Sequence, residues 1–515
     1  MVGLSVSMTN NYNRKIKTKE EILEIIGQRP RDKKVIMCHG TFDLVHPGHI
    51  RHLMYAKGKA DILIASLTGD AFITKADYRP FVPEELRAMN LAALEVVDYV
   101  LTDYNHLANE TIRFLQPDFF AKGYEYLSNQ NINTIEEMDI LSVYGGEMVF
   151  TPGDVVYSSS AIINSSPPNL ANEKLATLMD ANNITFIDLK SILKQFKNLK
   201  VFVLGDTIVD THIYCNPISS GMSKTPTISL AYNYEENFIG GAAIVAKHIK
   251  SAGAEVEFCT TVGDDELGTN FITSNLWENG IKALLISINK ATTNKKVYIA
   301  NKYRMLKVDI VDNMSISEHT LKIFSDKIKS SNADAFIFSD FRHGIFNRDT
   351  IPILTNSLPT KPLRVADSQV ASRWGNILEF KGFDLITPNE REARFALADQ
   401  DSVIRPLAYE LYKQANCKTL ILKLGSKGIL TYRAPSNASG SFFAIDSFAD
   451  NIIDPVGAGD ALLAYSTLTL ALKESPIIAS ILGSMAAGIA CETEGNNPVT
   501  PELVWSKLET IERTL

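Results

Sequence analysis

Two histidines flank a Pro-Gly turn in HGTFDLVHPGH, where an apolar run ends and a helical pattern begins. Two kinds of chemistry fit His46 and His49: ligation of a metal ion, or donation of hydrogen bonds to a phosphate group. Residues 35–38 predict a strand, and Gly48 starts a predicted helix, whose free N–H groups and dipole favour an anion. A zinc site needs a third ligand, and none is obvious in the sequence. We therefore favour the phosphate.

A second candidate for phosphate chemistry lies in IIDPVGAGDALLAYSTLTLAL. Gly457, Ala458 and Gly459 leave backbone N–H groups exposed where a long apolar helix begins, which suits a phosphoryl group in transfer. Asp460 stands at the same helix start. An isolated Asp there is often only a helix cap, but beside three small residues it is a candidate base for a substrate hydroxyl. No G-x-x-x-x-G-K-[ST] occurs, so a P-loop kinase is not supported.

The elements around both motifs alternate between strand and helix. Strand-like runs at residues 34–38, 61–66, 97–102, 117–123 and 147–153 alternate with helical patterns as far as the turn-rich NSSPPN. A helical stretch follows, and KVFVLGD then opens a second alternating series. This pattern favours parallel sheets covered by helices. We predict an α/β protein of two tandem doubly wound domains: an N-terminal extension (1–33), a first domain (34–165), a helical linker (166–198) and a second domain (199–515).

Bulk composition agrees with a globular protein of more than one domain. The chain has 515 residues, 45% of them hydrophobic and 21% charged. The formal net charge of -8 argues against a nucleic-acid partner. Five dispersed cysteines suggest neither a zinc knuckle nor a disulfide framework, and no membrane span or signal peptide is expected. A reducing cytoplasm fits these features best.

Residues 34–165 resemble the HxGH nucleotidylyltransferase superfamily, specifically its sugar-phosphate and alditol-phosphate branch. The likeness rests on TFDLVHPGH, SLTGDAFITKADYRPFVPEELRAMNLAALEVVDYV, PDFFAKGYEY and YSSSAII. It implies a Rossmann-like fold in which His46 and His49 stabilise the transferring α-phosphate, Lys75 neutralises phosphate charge, and the acceptor phosphate attacks directly with the help of Mg²⁺. The nucleotide contacts that it implies are Gly40, Thr41, Phe42, Lys122, Ser158, Ser159 and Ser160. His39 is a departure, because relatives often have a small or polar residue there.

Residues 199–515 are similar to the ribokinase (PfkB) family. Four pieces occur in the family's order: GGAAIVAKHIKSAGAEVEFCTTVGDDELG, TPNEREA, KLGSKG and the Asp460 motif. The resemblance makes Asp460 the base and the preceding three residues the anion hole, and it implies that Asn389 and Glu392 organise Mg²⁺ and the phosphates of ATP. Further contacts that it implies are Lys423 and Gly425 for the nucleotide, and Asp206, Asp210, Gly240 and Gly241 for the sugar. A small β lid is expected around residues 214–234 and 296–309, where it can close over substrate and pair subunits into a homo-oligomer.

Within this family, SDFRHG, GMSKTPTISL and YRMLKVD most resemble the heptose-phosphate kinase branch. The resemblance implies phosphorylation of a heptose 7-phosphate at C1, removal of the 7-phosphate by a separate phosphatase, and nucleotidyl transfer to the sugar 1-phosphate, which yields an NDP-sugar and pyrophosphate. Candidate clamps for a substrate phosphate are Lys224, Arg304, Lys307, Arg342 and Arg373, and each of them can equally be a solvated surface charge. The domain order is the reverse of the familiar fusion, and Ile244 replaces the Asn of the GGAAN-type signature.

The alternatives concern substrate and role. Because a missing amide can change which substrate is accepted, another sugar phosphate or a polyol phosphate stays open, with ATP or CTP as the nucleotidyl donor. One domain serving only regulation or assembly is a further possibility. A class I aminoacyl-tRNA synthetase is disfavoured, because GMSKT lies in the second domain and the charge balance is acidic.

Overall fold

A computed structural model describes residues 12–73, 80–105, 107–123, 132–151, 171–218, 229–369, 376–434 and 442–515. The chain forms two compact units, Met1–Leu170 and Ala171–Leu515. Each has its own buried core, and each is described separately below.

The first unit is built on a five-stranded parallel sheet. Its described strands are β1 (Val35–Gly40), β2 (Ile62–Thr68), β3 (Tyr99–Asp103), β4 (Phe119–Gly123) and β5 (Glu147–Thr151). Its described helices are α1 (Lys19–Ile26), α2 (Pro47–Lys57), α3 (Glu84–Ala92), α4 (Asn109–Leu115) and α5 (Ile132–Val143). The strand order is β3-β2-β1-β4-β5, and all neighbours are parallel.

The central position of β1 explains where a ligand can bind. Val35 to Cys38 are all buried, as expected for a strand covered on both faces. The strand order reverses beside β1, between β2 and β4. In an open α/β sheet such a reversal leaves a crevice at the carboxyl ends of the strands, and HGTFDLVHPGH begins there. The described part of the predicted N-terminal extension belongs to this unit, because Ile22 and Ile26 of α1 lie in the same core cluster as Val35.

The second unit has a nine-stranded main sheet and a four-stranded lid. The main-sheet strands are β6 (Lys200–Gly205), β9 (Glu255–Gly263), β10 (Lys282–Ile288), β13 (Ala335–Asp340), β14 (Leu363–Ser368), β15 (Leu385–Ile386), β16 (Thr419–Lys423), β17 (Ile429–Arg433) and β18 (Phe442–Ile445). The lid strands are β7 (Thr207–Pro217), β8 (Leu230–Gly241), β11 (Asn294–Ala300) and β12 (Tyr303–Ile310). The orders are β10-β9-β6-β13-β14-β15-β16-β17-β18 and β12-β11-β7-β8.

Helices cover the main sheet, and one of the most apolar of them begins at the second candidate site. The described helices are α6 (Ala171–Ala181), α7 (Phe186–Gln195), α8 (Ala242–Ser251), α9 (Thr273–Glu278), α10 (Glu318–Ser330), α11 (Thr350–Asn356), α12 (Glu390–Leu397), α13 (Ile404–Ala415), α14 (Ala458–Ala471), α15 (Pro476–Cys491) and α16 (Pro501–Thr514). All residues from Asp460 to Thr469 are buried, so α14 is a central helix with its first turn at the cavity. In the described part of the chain, no helix is both long enough and apolar enough to span a membrane.

The helices that we assigned to a linker are part of the second unit. Leu189, Leu193 and Phe196 lie in one core cluster with Val201 of β6 and Leu468 of α14. The sheet architecture confirms the predicted fold class, with the α/β layers and the small lid as expected.

Candidate functional sites: a histidine turn and a kinase-like cavity

His46 caps the helix that follows β1. Its backbone is extended, Pro47 takes the first helical position, and the Nδ1 atom of His46 accepts a hydrogen bond from the Gly48 N–H at 3.1 Å. Because Nδ1 accepts, the ring proton of the neutral imidazole is on Nε2. His46 therefore presents an N–H donor on the side of the ring that faces away from its own helix.

His49 stacks on His46 one turn into α2. The ring centroids are 4.0 Å apart with an interplanar angle of 26°, and Phe42 lies 5.2 Å from His49 on another side. The Nδ1 atom of His49 is 3.1 Å from the carbonyl oxygen of Leu44 and must donate to it. Burial, with a smaller contribution from His46, lowers the pKa of His49 to about 4, and burial also lowers the pKa of His46. Both rings are neutral at pH 7 in the free protein.

The buried side chain of Arg87 holds the histidine turn in place. Its guanidinium donates to the carbonyl oxygens of Thr41 and Val82 and, at 2.9 Å, to that of Thr68. It also forms an ion pair with Asp70 at 2.5 Å. One fully buried residue of α3 thus fixes the loops that follow β1 and β2. Arg87 lies within the segment that carries the family resemblance, but no pattern in the sequence predicts this supporting role.

His39, the departure from the family pattern, lies under the turn. Its Nδ1 is 2.9 Å from Ser66 Oγ, and its Nε2 is 3.2 Å from Thr68 Oγ1. Burial lowers the pKa of His39, although the nearby Asp103 carboxylate opposes this effect. The ring joins the carboxyl ends of β1 and β2, so His39 supports the turn from inside the sheet.

The other predicted nucleotide contacts of this unit have different positions. Gly40 lies against the ring of Phe42: a Cβ on Gly40 would be 3.4 Å from the Cε2 atom of Phe42. Phe42 itself has a positive φ of 48°. Lys122 forms an ion pair with the buried Glu137 and donates to Thr134 at 3.0 Å, so its charge is already compensated. Lys75, Ser158, Ser159 and Ser160 lie outside the described residues.

The second candidate site is a cavity of about 650 Å³ within the second unit. Its wall combines residues of the main sheet, the lid, the start of α14 and the loop before α16. Of the predicted site residues, those that line it are Asp210, Gly241, Lys307, Asn389, Glu392, Lys423, Gly425, Gly457, Ala458, Gly459 and Asp460. A cavity of this size accommodates a nucleotide or a sugar phosphate.

Asp460 lies in the first turn of α14 and is 9% exposed. Burial raises the pKa of its carboxyl to about 8; the Asp367 carboxylate adds to this shift, and the Lys423 ammonium opposes it. A carboxyl with a raised pKa can accept a proton from a substrate hydroxyl more readily than an ordinary Asp. The N-cap residue of α14 is Gly457 and not Asp460, so Asp460 stays a candidate base.

Two glycines shape the turn before Asp460. Gly457 has a positive φ of 83°, and a Cβ on Gly459 would lie 3.2 Å from Lys423 Nζ. Lys423 pairs with Asp367 at 3.0 Å. Burial lowers the pKa of Lys423, but the carboxylates of Asp367 and Glu392 outweigh burial and raise it. A permanent cation therefore lies beside the backbone amides of the predicted anion hole.

Asn389 and Glu392 form a reciprocal cap at the start of α12. The Asn389 N–H donates to Glu392 Oε2 at 2.7 Å, and the Glu392 N–H donates to Asn389 Oδ1 at 2.9 Å. Burial, with the nearby Asp367 carboxylate, raises the pKa of Glu392. Because the cap occupies the amide oxygen, these residues fit Mg²⁺ only indirectly, through the waters that this ion retains. Among the described residues, no group of three or more His, Cys, Asp or Glu is arranged to hold a metal ion.

The two predicted sugar-binding aspartates have different surroundings. Asp210 lines the cavity from β7 and accepts a hydrogen bond from Asn496 at 2.9 Å. Asp206 is not among the cavity residues, and its carboxylate accepts from the backbone N–H groups of Phe341, His343 and Ile345 at 3.1–3.3 Å. Asp206 therefore fixes the loop after β13, which differs from the sugar contact that we expected.

Lid cations face the cavity. Lys295 of β11 is the register partner of Asp210, and Lys307 and Arg304 of β12 line the same space. Arg304 forms an ion pair with the buried Asp454 at 2.8 Å. Of the other predicted phosphate clamps, Arg342 is buried and pairs with Glu379 at 2.8 Å, and Lys224 and Arg373 lie outside the described residues.

Two family models match the chain. The model described as "pfkB family carbohydrate kinase" matches residues 198–503, which include the cavity, the lid and Asp460. The chain belongs to the pfkB family of carbohydrate kinases. A second model, described as "Cytidylyltransferase-like", matches residues 37–165 and so includes the histidine turn. The order is thus cytidylyltransferase-like segment first and pfkB segment second.

Curated relatives of this pfkB family member carry the name "Bifunctional protein HldE". The protein from a Nitratiruptor species is 25% identical over 327 residues, which are 61% of this chain and 65% of that protein. The one from Campylobacter jejuni subsp. doylei is 42% identical over 118 residues, 22% of this chain and 25% of that protein. The one from Helicobacter pylori is 38% identical over 156 residues, 30% of this chain and 31% of that protein. The matches thus span less than two thirds of the length of these relatives.

A solved structure agrees with the pfkB fold. Phosphofructokinase-2 from Escherichia coli in complex with potassium has a TM-score of 0.51 and 15% sequence identity, covering 61% of this chain and 100% of that chain. At this identity the likeness shows the fold alone.

Four residues of these sites were missed by sequence reasoning. Asp367 is the next-to-last residue of β14, and its position at the carboxyl end of a parallel strand was a usable signal. Lys295 precedes the predicted lid segment by a single residue. Asn496 is 286 residues from its partner Asp210, and no local sequence pattern predicts their contact. The fourth is Arg87, whose contacts depend on loop folding.

Proposed function

We propose that the chain is a bifunctional enzyme of sugar-nucleotide biosynthesis. Its second unit phosphorylates a sugar phosphate with ATP, and its first unit transfers a nucleotidyl group to a sugar 1-phosphate. The observation that carries the kinase half is the buried Asp460 carboxyl, with its raised pKa, at a helix start inside a 650 Å³ cavity. The stacked histidine pair at the switch point of the first sheet supports the transferase half.

In the kinase reaction, an acceptor hydroxyl attacks the γ-phosphorus of ATP as its proton passes to Asp460. The bond between the γ-phosphorus and the bridging oxygen breaks, and ADP leaves. The backbone N–H groups of residues 457–459 and the Lys423 ammonium stabilise the charge on the transferring group. Enclosure of the site by the lid excludes water and so limits hydrolysis of ATP.

In the transferase reaction, a phosphate oxygen of the acceptor attacks the α-phosphorus of a nucleoside triphosphate, and pyrophosphate leaves. His46 donates from Nε2 to the phosphoryl oxygens. His49, whose Nδ1 donates to the carbonyl oxygen of Leu44, donates from Nε2 only when its ring is protonated, a form that a bound phosphate favours by raising the pKa of His49. The chain supplies no nucleophile, so its residues act by holding the two substrates in line. Mg²⁺, where bound, supplies positive charge to the phosphates in both reactions.

For the substrate, we propose a heptose 7-phosphate, which is phosphorylated at C1. A separate phosphatase then hydrolyses the 7-phosphate, and the transferase couples the remaining 1-phosphate to AMP from ATP, giving ADP-heptose and pyrophosphate. The cationic lid residues Lys295 and Lys307 line the cavity that contains Asp460 and match an acceptor that carries a phosphate. The branch-specific motifs around SDFRHG support the same choice. A CTP-dependent enzyme acting on another sugar or polyol phosphate is the second candidate. The buried Ile244 favours it, because it replaces an amide of the sugar-binding signature.

We further propose that the chain forms a homodimer through the lid. Strand β12 is exposed along its whole length, and Tyr303 and Leu306 are 73% and 58% exposed. On the far edge strand, Tyr232 is 63% exposed. An apolar open sheet of this kind is usually covered by another surface. Light scattering should give twice the chain mass, and Tyr232→Lys combined with Tyr303→Lys should give the monomer.

The decisive experiment separates the two products. Purified protein is incubated with a panel of sugar and polyol phosphates and each of ATP, CTP, GTP and UTP, and ADP and pyrophosphate are measured independently. ADP release that depends on heptose 7-phosphate supports the main proposal. Pyrophosphate release with CTP and a polyol phosphate supports the second candidate, and neither product with any pair refutes both.

A further inference from the structure

The sugar side of the cavity lacks an amide where the signature of the family would place one. Ile244 lies in the first turn of α8 and is fully buried among the core residues Val203 and Val245. It has no polar atom to offer to a sugar. Asp210 nevertheless receives a side-chain amide hydrogen bond, and the donor is Asn496, in the loop between α15 and α16.

The orientation of the Asn496 side chain follows from its partner. Its Nδ2 lies 2.9 Å from Asp210 Oδ2, and a carboxylate oxygen can only accept, so the amide nitrogen must face Asp210. Asn496 is 8% exposed and lines the cavity. Its Oδ1 is buried without a hydrogen-bond partner and faces Gly457, the first residue of the anion hole. The side-chain amide of Asn496 thus lies between Asp210 and the turn at Gly457, and among the described residues its hydrogen bond is to Asp210 only.

Two glycines leave the space that this pair occupies. A Cβ on Gly240 would lie 2.3 Å from Asp210 Oδ2 and 3.2 Å from Asn496 Nδ2. A Cβ on Gly457 would lie 2.8 Å from Asn496 Oδ1. A side chain at Gly240 would displace Asp210, and one at Gly457 would displace Asn496. Gly240 and Gly457, which belong to two separate motifs, therefore both leave room for the hydrogen bond between Asn496 and Asp210.

The loop that carries Asn496 is anchored on both sides. Before Asn496, Glu494 accepts from the Tyr214 hydroxyl at 2.9 Å. After Asn496, the Val499 N–H donates to His248 Nδ1 at 3.0 Å, and the Val499 carbonyl oxygen accepts from Tyr465 at 3.0 Å. These contacts connect the loop to the lid strand β7, to α8 and to α14. The amide is thus presented by a fixed backbone.

We propose that Asn496 is the positioning residue that orients Asp210 toward the hydroxyl groups of a polyhydroxylated acceptor, in place of the amide missing at Ile244. The inference rests on the proposed kinase function and deepens it: it assigns specificity for the acceptor to a residue outside the signature motifs. Asn496 acts through Asp210, so its loss should weaken binding of the acceptor far more than binding of ATP.

The first test compares Asn496→Leu with Asn497→Leu in the full-length protein. Asn497 is the adjacent residue of the same type, is exposed, and bonds only within its own loop, to Glu494. We expect Asn496→Leu to raise the KM for heptose 7-phosphate about tenfold or more, as the loss of a hydrogen bond to a charged group predicts, with the KM for ATP within twofold. Asn497→Leu should leave both unchanged. Equal losses for acceptor and ATP would indicate a merely structural role and overturn the proposal.

The second test introduces a charge. In Asn496→Asp two carboxylates lie side by side and share a proton at low pH, because both cannot ionise at this distance. Affinity for the acceptor, measured by calorimetry, should approach that of the wild type at pH 6 and fall steeply toward pH 8.5. Asn497→Asp adds the same charge without the contact and should follow the wild-type profile. An Asn496→Asp profile parallel to that of the wild type contradicts the proposal.

A third measurement works without any acceptor. Crystal structures of the wild type and of Asn496→Leu should show the Asp210 side chain in different rotamers, and an unchanged rotamer overturns the inference. If the wild type binds no member of the acceptor panel, the proposed kinase function fails, and the rotamer comparison still decides the role of Asn496. If Asn496→Leu does not fold, Asn496→Asp and Asn496→Ser take its place.

Discussion

Asp460 occupies a common position for an Asp and lies in an uncommon environment. The first turn of a helix stabilises a carboxylate, yet burial and a second carboxylate raise the pKa of Asp460 to about 8. Two residues that reasoning from the sequence did not include, Asp367 and Lys295, contribute to this environment. The motif alone predicts Asp460 as a candidate base, but the pKa of Asp460 depends on residues that are distant in the sequence and close in the fold.

Asp460→Asn should abolish phosphorylation of the acceptor, with a fall of about 10²–10⁴-fold, the range for loss of general base catalysis. Pyrophosphate release should stay at the wild-type level. In the wild type, the rate of ADP release should rise with pH through about 8, because the protonated carboxyl at pH 6 cannot accept a proton. Assays of kcat/KM between pH 6 and 9 test this, and a flat or falling profile contradicts the assignment.

His46→Ala should have the converse effect. Removal of a donor to a transferring phosphate lowers the rate by about 10²–10³-fold, so pyrophosphate release should fall by this factor with ADP release unchanged. His319→Ala is the matched control, since His319 is exposed on α10. Loss of both activities in folded His46→Ala protein would contradict the presence of two separate sites.

At the scale of elements, the histidine turn depends on α3. Arg87 connects this helix to the loops after β1 and β2 and compensates Asp70. The strand, the turn and the helix start were predictable from apolar periodicity and from the Pro-Gly signal. The support was not, because a fully buried arginine looks in the sequence like any surface charge of an amphipathic helix.

Arg87→Met should destabilise the first unit by about 3–5 kcal/mol, the range for breaking a buried ion pair. All tryptophans of the chain lie after Ala171, so tryptophan fluorescence reports on the second unit alone. Urea unfolding followed by circular dichroism should show a first transition at a lower urea concentration than in the wild type. The midpoint of the fluorescence transition should not change. Arg113→Met is the control, because Arg113 lies on the surface of α4 in an exposed ion pair. Equal stability of the two variants would show that Arg87 is dispensable.

For the whole molecule, the two α/β halves and their order were predictable from alternating strand and helix patterns and from ordered motifs. What the sequence could not provide were contacts across long separations, such as the hydrogen bond between Asn496 and Asp210. Asp206 illustrates the opposite case. It lies in the same short motif as Asp210, but its carboxylate accepts hydrogen bonds from three backbone amides of the loop after β13. Spacing shows that two residues are near each other, but it does not show which ligand each of them binds.

The boundary between the units leads to a final prediction. We placed residues 166–198 in a linker, but the second compact unit begins at Ala171, and α6 and α7 contribute Leu175, Leu189 and Leu193 to its core. Loss of each large buried apolar side chain costs about 2–5 kcal/mol, and the total stability of a domain is about 5–15 kcal/mol. A protein of residues 171–515 should therefore fold and release ADP, whereas one of residues 199–515 should be insoluble or unfolded. Expression of both, with circular dichroism and the ADP assay, compares them directly. A folded and active 199–515 protein would show that these helices are a true linker.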